Sequence, residues 1–522
     1  MIRFVPAWYH PQRPWYSPDG TDIGQETGVA LNDTVTQVRI FAQGTEPAGL
    51  VVLNYVPNLR RFLHRHGIAD VTYWSFFDEV QGLSDDATQP INFLAMDWPE
   101  NAGFFYNPFA VTVMDGAELH ARIFMAPDGT LESIRFYGNG MPSLERIYDD
   151  RGFLSSVLMH DSDGKPQTQY YYNASGDVVV SEDVNSGHID VVDFMSDKFD
   201  SFSYDSWGDL IEELMGKHLA LPKNAEDTIV VALADQHNDL IQRTLANQTL
   251  VLARSASRES TASDDLINRA LACFSDEDMS AVTSPEEQMR WMMLPELSMR
   301  PLDRRSTFGA SANESTVTVG LFADNIGIEQ LDAAVANMAM QMVEDDRTRV
   351  ALITFKTHDV EHLQQVRAVM DGYQGLDLAG LFDEETAELA ADMGLAQDVE
   401  NKISLVTIDR EADLMRTLAK TRLLVDLGEH VNQRLVTEAV CAGVPQVNLH
   451  AQDLATDKLN GYVISDESQI PQAVDYFLDG LEHWNQSLVQ CNVLIDVFSP
   501  EEILNRWELV KEAMSLVGTA NG

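Results

Sequence analysis

Residues 104–204 break the rhythm of everything around them. There apolar residues recur at every second position, in runs such as LHARIFM, LESIRFY, TQYYYN and DVVVSED. Between the runs stand PDGT (127–130), DDRG (149–152), DSDGK (161–165) and NASGD (173–177). Asp-Gly and Ser-Gly pairs supply the positive φ of tight hairpin turns, and a period of two puts alternate side chains on one face of a strand. Such a stretch folds as an antiparallel meander. It must be an insertion, because the sequence on both sides follows a different pattern. Its wet face is open to two readings, a docking surface or a rigid spacer.

On either side, apolar strand-length runs alternate with helical spacing. IRFVPAWY (2–9) reads as a buried strand and is followed by a Pro- and Gly-rich loop. DTVTQVRIFAQ (33–43) is a helix behind an Asp33 cap, LVVLNYV (50–56) a second strand, and VPNLRRFLHRHGI a helix closed by Gly67. DVTYWSFFDEVQ continues the alternation. After the meander come WGDLIEELMGKHL, TIVVALA, NDLIQRTLANQ and TLVLARS, again helix and strand in turn. The polar stretch RPLDRRSTFGASANES (300–315) reads as a linker. A new series of strands then follows: STVTVGLFADN, RVALITF, KISLVTID, RLLVDLG and VPQVNL. The last run, SPEEILNRWELVKEAMSLV, is a helix with Ser499 as its cap and Pro500 in its first turn.

Strand and helix in alternation predict parallel sheets. The expected fold class is α/β, with two Rossmann-like domains facing each other, an antiparallel β-sheet inserted in the first, and a closing C-terminal helix. The expected division is 1–103 and 205–312 for the first Rossmann-like domain, 104–204 for the insertion, 313–494 for the second domain, and 495–522 for a helix crossing back to the first.

Charge narrows the partners. The chain has 82 Asp and Glu against 35 Lys and Arg, a formal net charge of -47. Such a surface repels phosphate backbones and anionic headgroups, which argues against nucleic acid and against direct membrane insertion. Solubility or a salt-tolerant host is the plainer reading of the same acidity. Three cysteines (Cys273, Cys441, Cys491) far apart in sequence do not make a disulfide framework and fit a reducing cytoplasm. The N-terminus, interrupted by Pro6, Pro11 and Pro14, has no apolar core of a signal peptide, and no apolar run approaches the ~20 residues of a membrane helix.

The stretch DLGEHVNQRLVTEAVCAGVPQVN (426–448) is where chemistry would be expected. Together with the two-domain plan it resembles the donor site of GT-B glycosyltransferases. In retaining members a loop Glu, followed by glycines, precedes a helix Glu by eight residues, and a basic loop neutralises the leaving diphosphate. Glycines let the backbone approach the donor, and the helix N-terminus offers N–H groups. Here Glu438 matches the helix carboxylate, but His430 stands eight residues before it, and Glu429 is one position out of register. Val431 and Asn432 occupy the glycine positions. The first strand of the second domain ends in GLFADNIGIEQ, with Asp324 and no Lys or Arg. His430, Gln433, Arg434 and Glu438 are therefore the candidate carbohydrate contacts of a degenerate donor site. Equally, Glu438 is a solvated helix residue, His430 a loop histidine, and Ala439, Cys441, Ala442 and Gly443 small for packing.

No GxSxG, HExxH or P-loop pattern occurs, so catalytic, cofactor and metal residues are all expected to be absent. Arg60, Arg61 and Arg65 make one helix basic in an acidic chain; a partner-binding face and an ordinary solvated face are the two readings.

The N-terminal block carries a further resemblance. FVPAWYHPQRPWY, LNDTVTQVRIF and VVLNYVPNLRRFLHRHGI, with the late segment KLNGYVISDESQIPQAVDYFLDGLEHWNQSL, are similar to accessory secretory protein one of the Gram-positive accessory Sec system. The resemblance implies a GT-B-like fold without transferase chemistry. It implies a scaffold or chaperone acting with accessory secretory proteins two and three, an accessory SecA motor ATPase, and serine-rich-repeat glycoprotein adhesins glycosylated in the cytoplasm before export. The expected location is cytoplasmic, reaching the membrane only through partners. An active retaining transferase using a UDP-sugar is the alternative.

Overall fold

The computed structural model describes the chain except for residues 11–12, 17–32, 84–88, 108–109, 193–197, 246, 256–257, 259, 277–284, 346, 358, 374–401 and 521–522. Most of the Pro- and Gly-rich loop expected after the first strand lies outside the described residues.

Three sheets organise the fold. The first has seven parallel strands in the order β17-β16-β15-β14-β1-β2-β3. These are β1 (Ile2–Val5), β2 (Ala48–Val52) and β3 (Thr72–Ser75) before the insertion, and β14 (Thr228–Ala232), β15 (Thr249–Arg254), β16 (Ala272–Ser275) and β17 (Glu296–Ser298) after it. The runs are almost continuously apolar because helices cover both faces. Ile2, Phe4, Val230 and Val251 lie in one layer of core, and Val5, Ile229, Val231 and Leu252 in the other.

The insertion is one ten-stranded antiparallel sheet ordered simply from β13 to β4. Its strands are β4 (Ala102–Tyr106), β5 (Val111–Asp115), β6 (Glu118–Met125), β7 (Leu131–Gly138), β8 (Met141–Tyr148), β9 (Leu154–His160), β10 (Pro166–Tyr172), β11 (Val178–Asp183), β12 (Ile189–Val191) and β13 (Ser203–Tyr204). Every turn signal named above falls between two of these strands. The sheet is not a detached module. Tyr171, Val179, Val180 and Ile189 share a core with Tyr55, Phe77 and Trp207 of the first α/β unit. Arg151 clamps the junction, with its guanidinium on Asp149 at 2.7 Å and on Asp78 at 2.7 Å. The other end of the sheet, β4 to β7, has only a small core of its own around Val113, Ala121, Ile123 and Ile134.

The third sheet has six parallel strands, ordered β20-β19-β18-β21-β22-β23. They are β18 (Val317–Phe322), β19 (Thr348–Thr354), β20 (Ile403–Thr407), β21 (Thr421–Asp426), β22 (Gln446–Asn448) and β23 (Gly461–Val463). The helix Pro500–Ala520 then returns to the first unit, where Trp507 is fully buried against Phe41 and Phe274. Ser499 accepts the Glu502 N–H at its start, the cap read from the sequence. All three cysteines are buried free thiols.

Candidate functional site

The candidate site sits where β18 and β21 end side by side. Adjacent parallel strands that deliver their C-terminal loops to one place are where open α/β sheets bind ligands. β21 ends in Asp426, which is buried. Its two carboxylate oxygens accept the Gly428 N–H at 3.0 Å and the Asn432 N–H at 2.9 Å, folding the loop back on the strand. Burial pushes the Asp426 carboxyl up to about 6, partly offset by those two N–H groups, and Asp324 pushes it the same way as burial.

Asp324, just past β18, is also enclosed. Its carboxylate accepts the Phe355 N–H at 2.7 Å, the Thr354 hydroxyl, and His362 Nε2 at 2.9 Å. Lys356 Nζ donates to the Asp324 carbonyl at 3.1 Å. His362 and Lys356 were not singled out from the sequence. They lie 38 and 32 residues from Asp324, and no local spacing links them. The loops of the two strands are tied as well: Asn325 Nδ2 donates to the His430 carbonyl at 3.0 Å. A Cβ on Gly428 would stand 2.7 Å from Asn325 Cβ, so that glycine serves loop-on-loop packing.

The helix Gln433–Ala442 follows. Asn432, at φ -74, caps it by accepting the Leu435 N–H at 3.0 Å. Neither Val431 nor Asn432 adopts positive φ. Val431 instead packs with Leu302, Val436 and Leu454 in a small apolar core. The loop that would be glycine-rich in a donor site is thus an ordinary capped turn with a hydrophobic plug. Gly443, at φ +72, ends the helix as read from the sequence, and its N–H bonds to the Val440 carbonyl.

Glu438 does not reach into open space. It is 7 % exposed and takes a two-pronged bond from Arg305 of the linker, at 2.8 and 3.2 Å. The same linker donates Arg305 N–H to the Cys441 carbonyl at 3.1 Å and Gly309 N–H to the Ala442 carbonyl at 2.9 Å. Of the other candidates, His430 is exposed, and Gln433 keeps its side-chain oxygen buried without a hydrogen-bond partner. Arg434 is half-buried on the first turn of the helix. The structure thus brings Gln433, Arg434 and Glu438 onto one helix, with His430 in the loop before it.

The basic helix, Leu59–Arg65, is partly spoken for from within. Arg61 reaches the inserted sheet, donating to Thr130 at 3.0 Å and to Glu132, while its own N–H bonds to Asp150 at 2.8 Å. Arg65 is exposed and Arg60 half-buried. Among the described residues no group of three or more His, Cys, Asp or Glu is arranged to hold a metal, and no helix is long and apolar enough to cross a membrane.

Known proteins place these features. A family model for accessory Sec system protein one matches residues 1–513. Two proteins of that name are similar to this chain. That of Staphylococcus aureus is 26% identical, over 97% of this chain and 98% of its own length. That of Streptococcus gordonii is 27% identical, over 98% and 99%. Among solved structures, accessory secretory proteins 1, 2 and 3 of Streptococcus pneumoniae include a chain that superposes with a TM-score of 0.80 at 24% identity, covering 99% of this chain and 100% of that one. The pneumococcal O-GlcNAc transferase GtfA, solved with UDP and GlcNAc, superposes with a TM-score of 0.65 at 13% identity, over 98% and 99%. The fold is therefore that of the GT-B glycosyltransferases.

Proposed function

The chain belongs to the accessory Sec system protein one family, and from that membership we propose that it is a non-catalytic, glycosyltransferase-like scaffold in the export of serine-rich-repeat glycoprotein adhesins. The observation that carries this reading is the closed donor loop. The carboxylate that would meet a sugar, Glu438, is held by Arg305, and Val431 plugs the loop. The strand ends present Asp324 and Asp426, and two carboxylates disfavour a diphosphate. Lys356, beside them, is turned to a backbone carbonyl.

The partners in this reading are accessory secretory proteins two and three, an accessory SecA motor ATPase and the glycosylated adhesin. A similar chain solved together with accessory secretory proteins 2 and 3 supports the first two. We place the protein in the cytoplasm, held at the membrane through these partners. Its working units are the first α/β domain (1–103 and 205–312), the inserted sheet (104–204), the second domain (313–494) and the crossing helix (495–522). His430, Gln433, Arg434 and the other two arginines of the basic helix, Arg60 and Arg65, remain the candidate contacts for glycan and partner. The second reading, a retaining transferase, draws on the fold shared with GtfA.

The test mixes purified protein with its sister proteins at micromolar concentration and, separately, with a panel of UDP-sugars. Co-elution with the sisters and no donor binding by calorimetry is the expected result. Turnover of any donor that is lost in Glu438→Ala would overturn it.

A further inference from the structure

The inserted sheet ends in an open strand. β4 is the last in the order, and nothing among the described residues pairs with its outer edge. An unpaired edge is a row of backbone donors and acceptors, which folded proteins usually blunt with charge, proline or a bulge. β4 has none of these within Ala102–Tyr106. It is instead anchored from its inner side. Phe104 packs inward against Trp98, with ring centroids 5.6 Å apart, and all five residues pair with β5 without a register shift. Its last two residues project outward: Phe105 is 60 % and Tyr106 66 % exposed, on opposite faces of the strand.

Charge around the edge is one-sided. From residue 66 to residue 121 there are nine Asp and Glu and no Lys or Arg. Four of the nine, Asp97, Glu100, Asp115 and Glu118, are exposed at the Ala102 end of the β4–β5–β6 meander. The nearest guanidinium in register is Arg122, two strands in from Phe105. The edge is thus acidic at its start and aromatic at its end. A second copy of a chain with net charge -47 is a poor match.

We propose that β4 is a docking edge that takes an extended segment of a different, basic polypeptide as an eleventh, antiparallel strand. Every neighbouring pair in this sheet is antiparallel, so continuing it places the segment's C-terminal half opposite the carboxylates and its N-terminal half opposite Phe105 and Tyr106. The segment therefore carries β-branched or aromatic residues first and lysines or arginines after them. Backbone bonds supply affinity and the two ends supply direction.

The test uses full-length protein and three synthetic peptides. The first has Val, Tyr and Thr in its N-terminal half and lysines in its C-terminal half. The second keeps the lysines but replaces the β-formers with Gly and Ser. The third replaces the lysines with Glu. Binding is followed by calorimetry and by amide exchange. The expected result is binding of the first peptide alone, with exchange at Gly103–Tyr106 slowed at least tenfold. Phe105→Ser with Tyr106→Ser should weaken it at least tenfold, and Asp97→Asn with Glu100→Gln should weaken it and flatten its salt dependence. Equal binding of the Gly–Ser peptide would overturn the proposal, leaving bulk charge as the cause. Protection elsewhere, or a self-associated protein that becomes monomeric in the Phe105/Tyr106 double variant, would overturn it too. Both aromatic side chains are exposed, so circular dichroism of the variants should match the parent.

Discussion

The two parallel sheets close their strand ends in opposite ways. In the first, the ends of β1 and β14 are closed by Tyr9, His237 and Trp15, with the Arg258–Asp33 ion pair, whose charges cancel, beside them. Tyr9 donates to His237 Nδ1 at 2.6 Å, His237 Nε2 donates to the Ala232 carbonyl at 2.8 Å, and Trp15 stands edge-on to Tyr9. Burial holds this histidine down at about 4 and pushes the tyrosine up, so both stay neutral. In the second, β18 and β21 end in two enclosed carboxylates. One topology thus carries a neutral plug in one half and an acidic one in the other. A strand-end crevice is a feature of the fold, while its chemistry belongs to the few residues placed in it.

The strongest way to break the comparison is to loosen one half only. Trp507→Ala should cost about 3–5 kcal/mol by opening a cavity against Phe41 and Phe274. Amide exchange should then accelerate in β1 and β14 and stay unchanged in β18 and β21. Uniform acceleration would show that the halves unfold as one.

Acid should then move the halves in opposite directions. The folded Asp426 carboxyl lies near 6, above the ordinary 3.8, so the native state holds that proton more tightly. Stability of the second half therefore rises as pH falls through 6 toward 3.8, by at most about 3 kcal/mol. His237 lies near 4, below 6.5, so the unfolded chain holds its proton more tightly. The first half accordingly loses stability as pH falls from 6.5 toward 4. Amide exchange at pH 7 and pH 5, read separately at β14 and β21, checks both signs. Asp150, half-buried beside Asp149, is raised to about 6 by desolvation and by that neighbour and favours acid within the inserted sheet. Asp150→Asn removes that contribution.

A smaller loss is expected from Arg305→Ala, about 2 kcal/mol, because it leaves the Glu438 carboxylate enclosed without its ion partner. Urea unfolding measures it, and Arg305→Ala with Glu438→Gln should recover part of the loss.

What the sequence disclosed was what is local. Hairpin turns, the Ser499 cap and the helix end at Gly443 depend on a few adjacent residues, and each is where the spacing puts it. The α/β class followed from periodicity. What stayed hidden depends on contacts across the chain. Glu438 stood out by position, yet its partner Arg305 is 133 residues away. Arg61 read as part of a basic face, yet its side chain binds Glu132, 71 residues on. The insertion read as a separate sheet because nothing in TQYYYN announces that Tyr171 will sit in the core of another domain.

The linker has a mechanical consequence. Domains joined by a loose crossover swing about it. Here the crossover is riveted to one helix by Arg305 and Gly309 and to the loop between β22 and β23 by Arg300 on Asp453 at 3.0 Å. Glu438, which the sequence offers as a sugar contact, grips the crossover itself. All of these bonds land on the second domain, so the crossover travels with that domain as part of it.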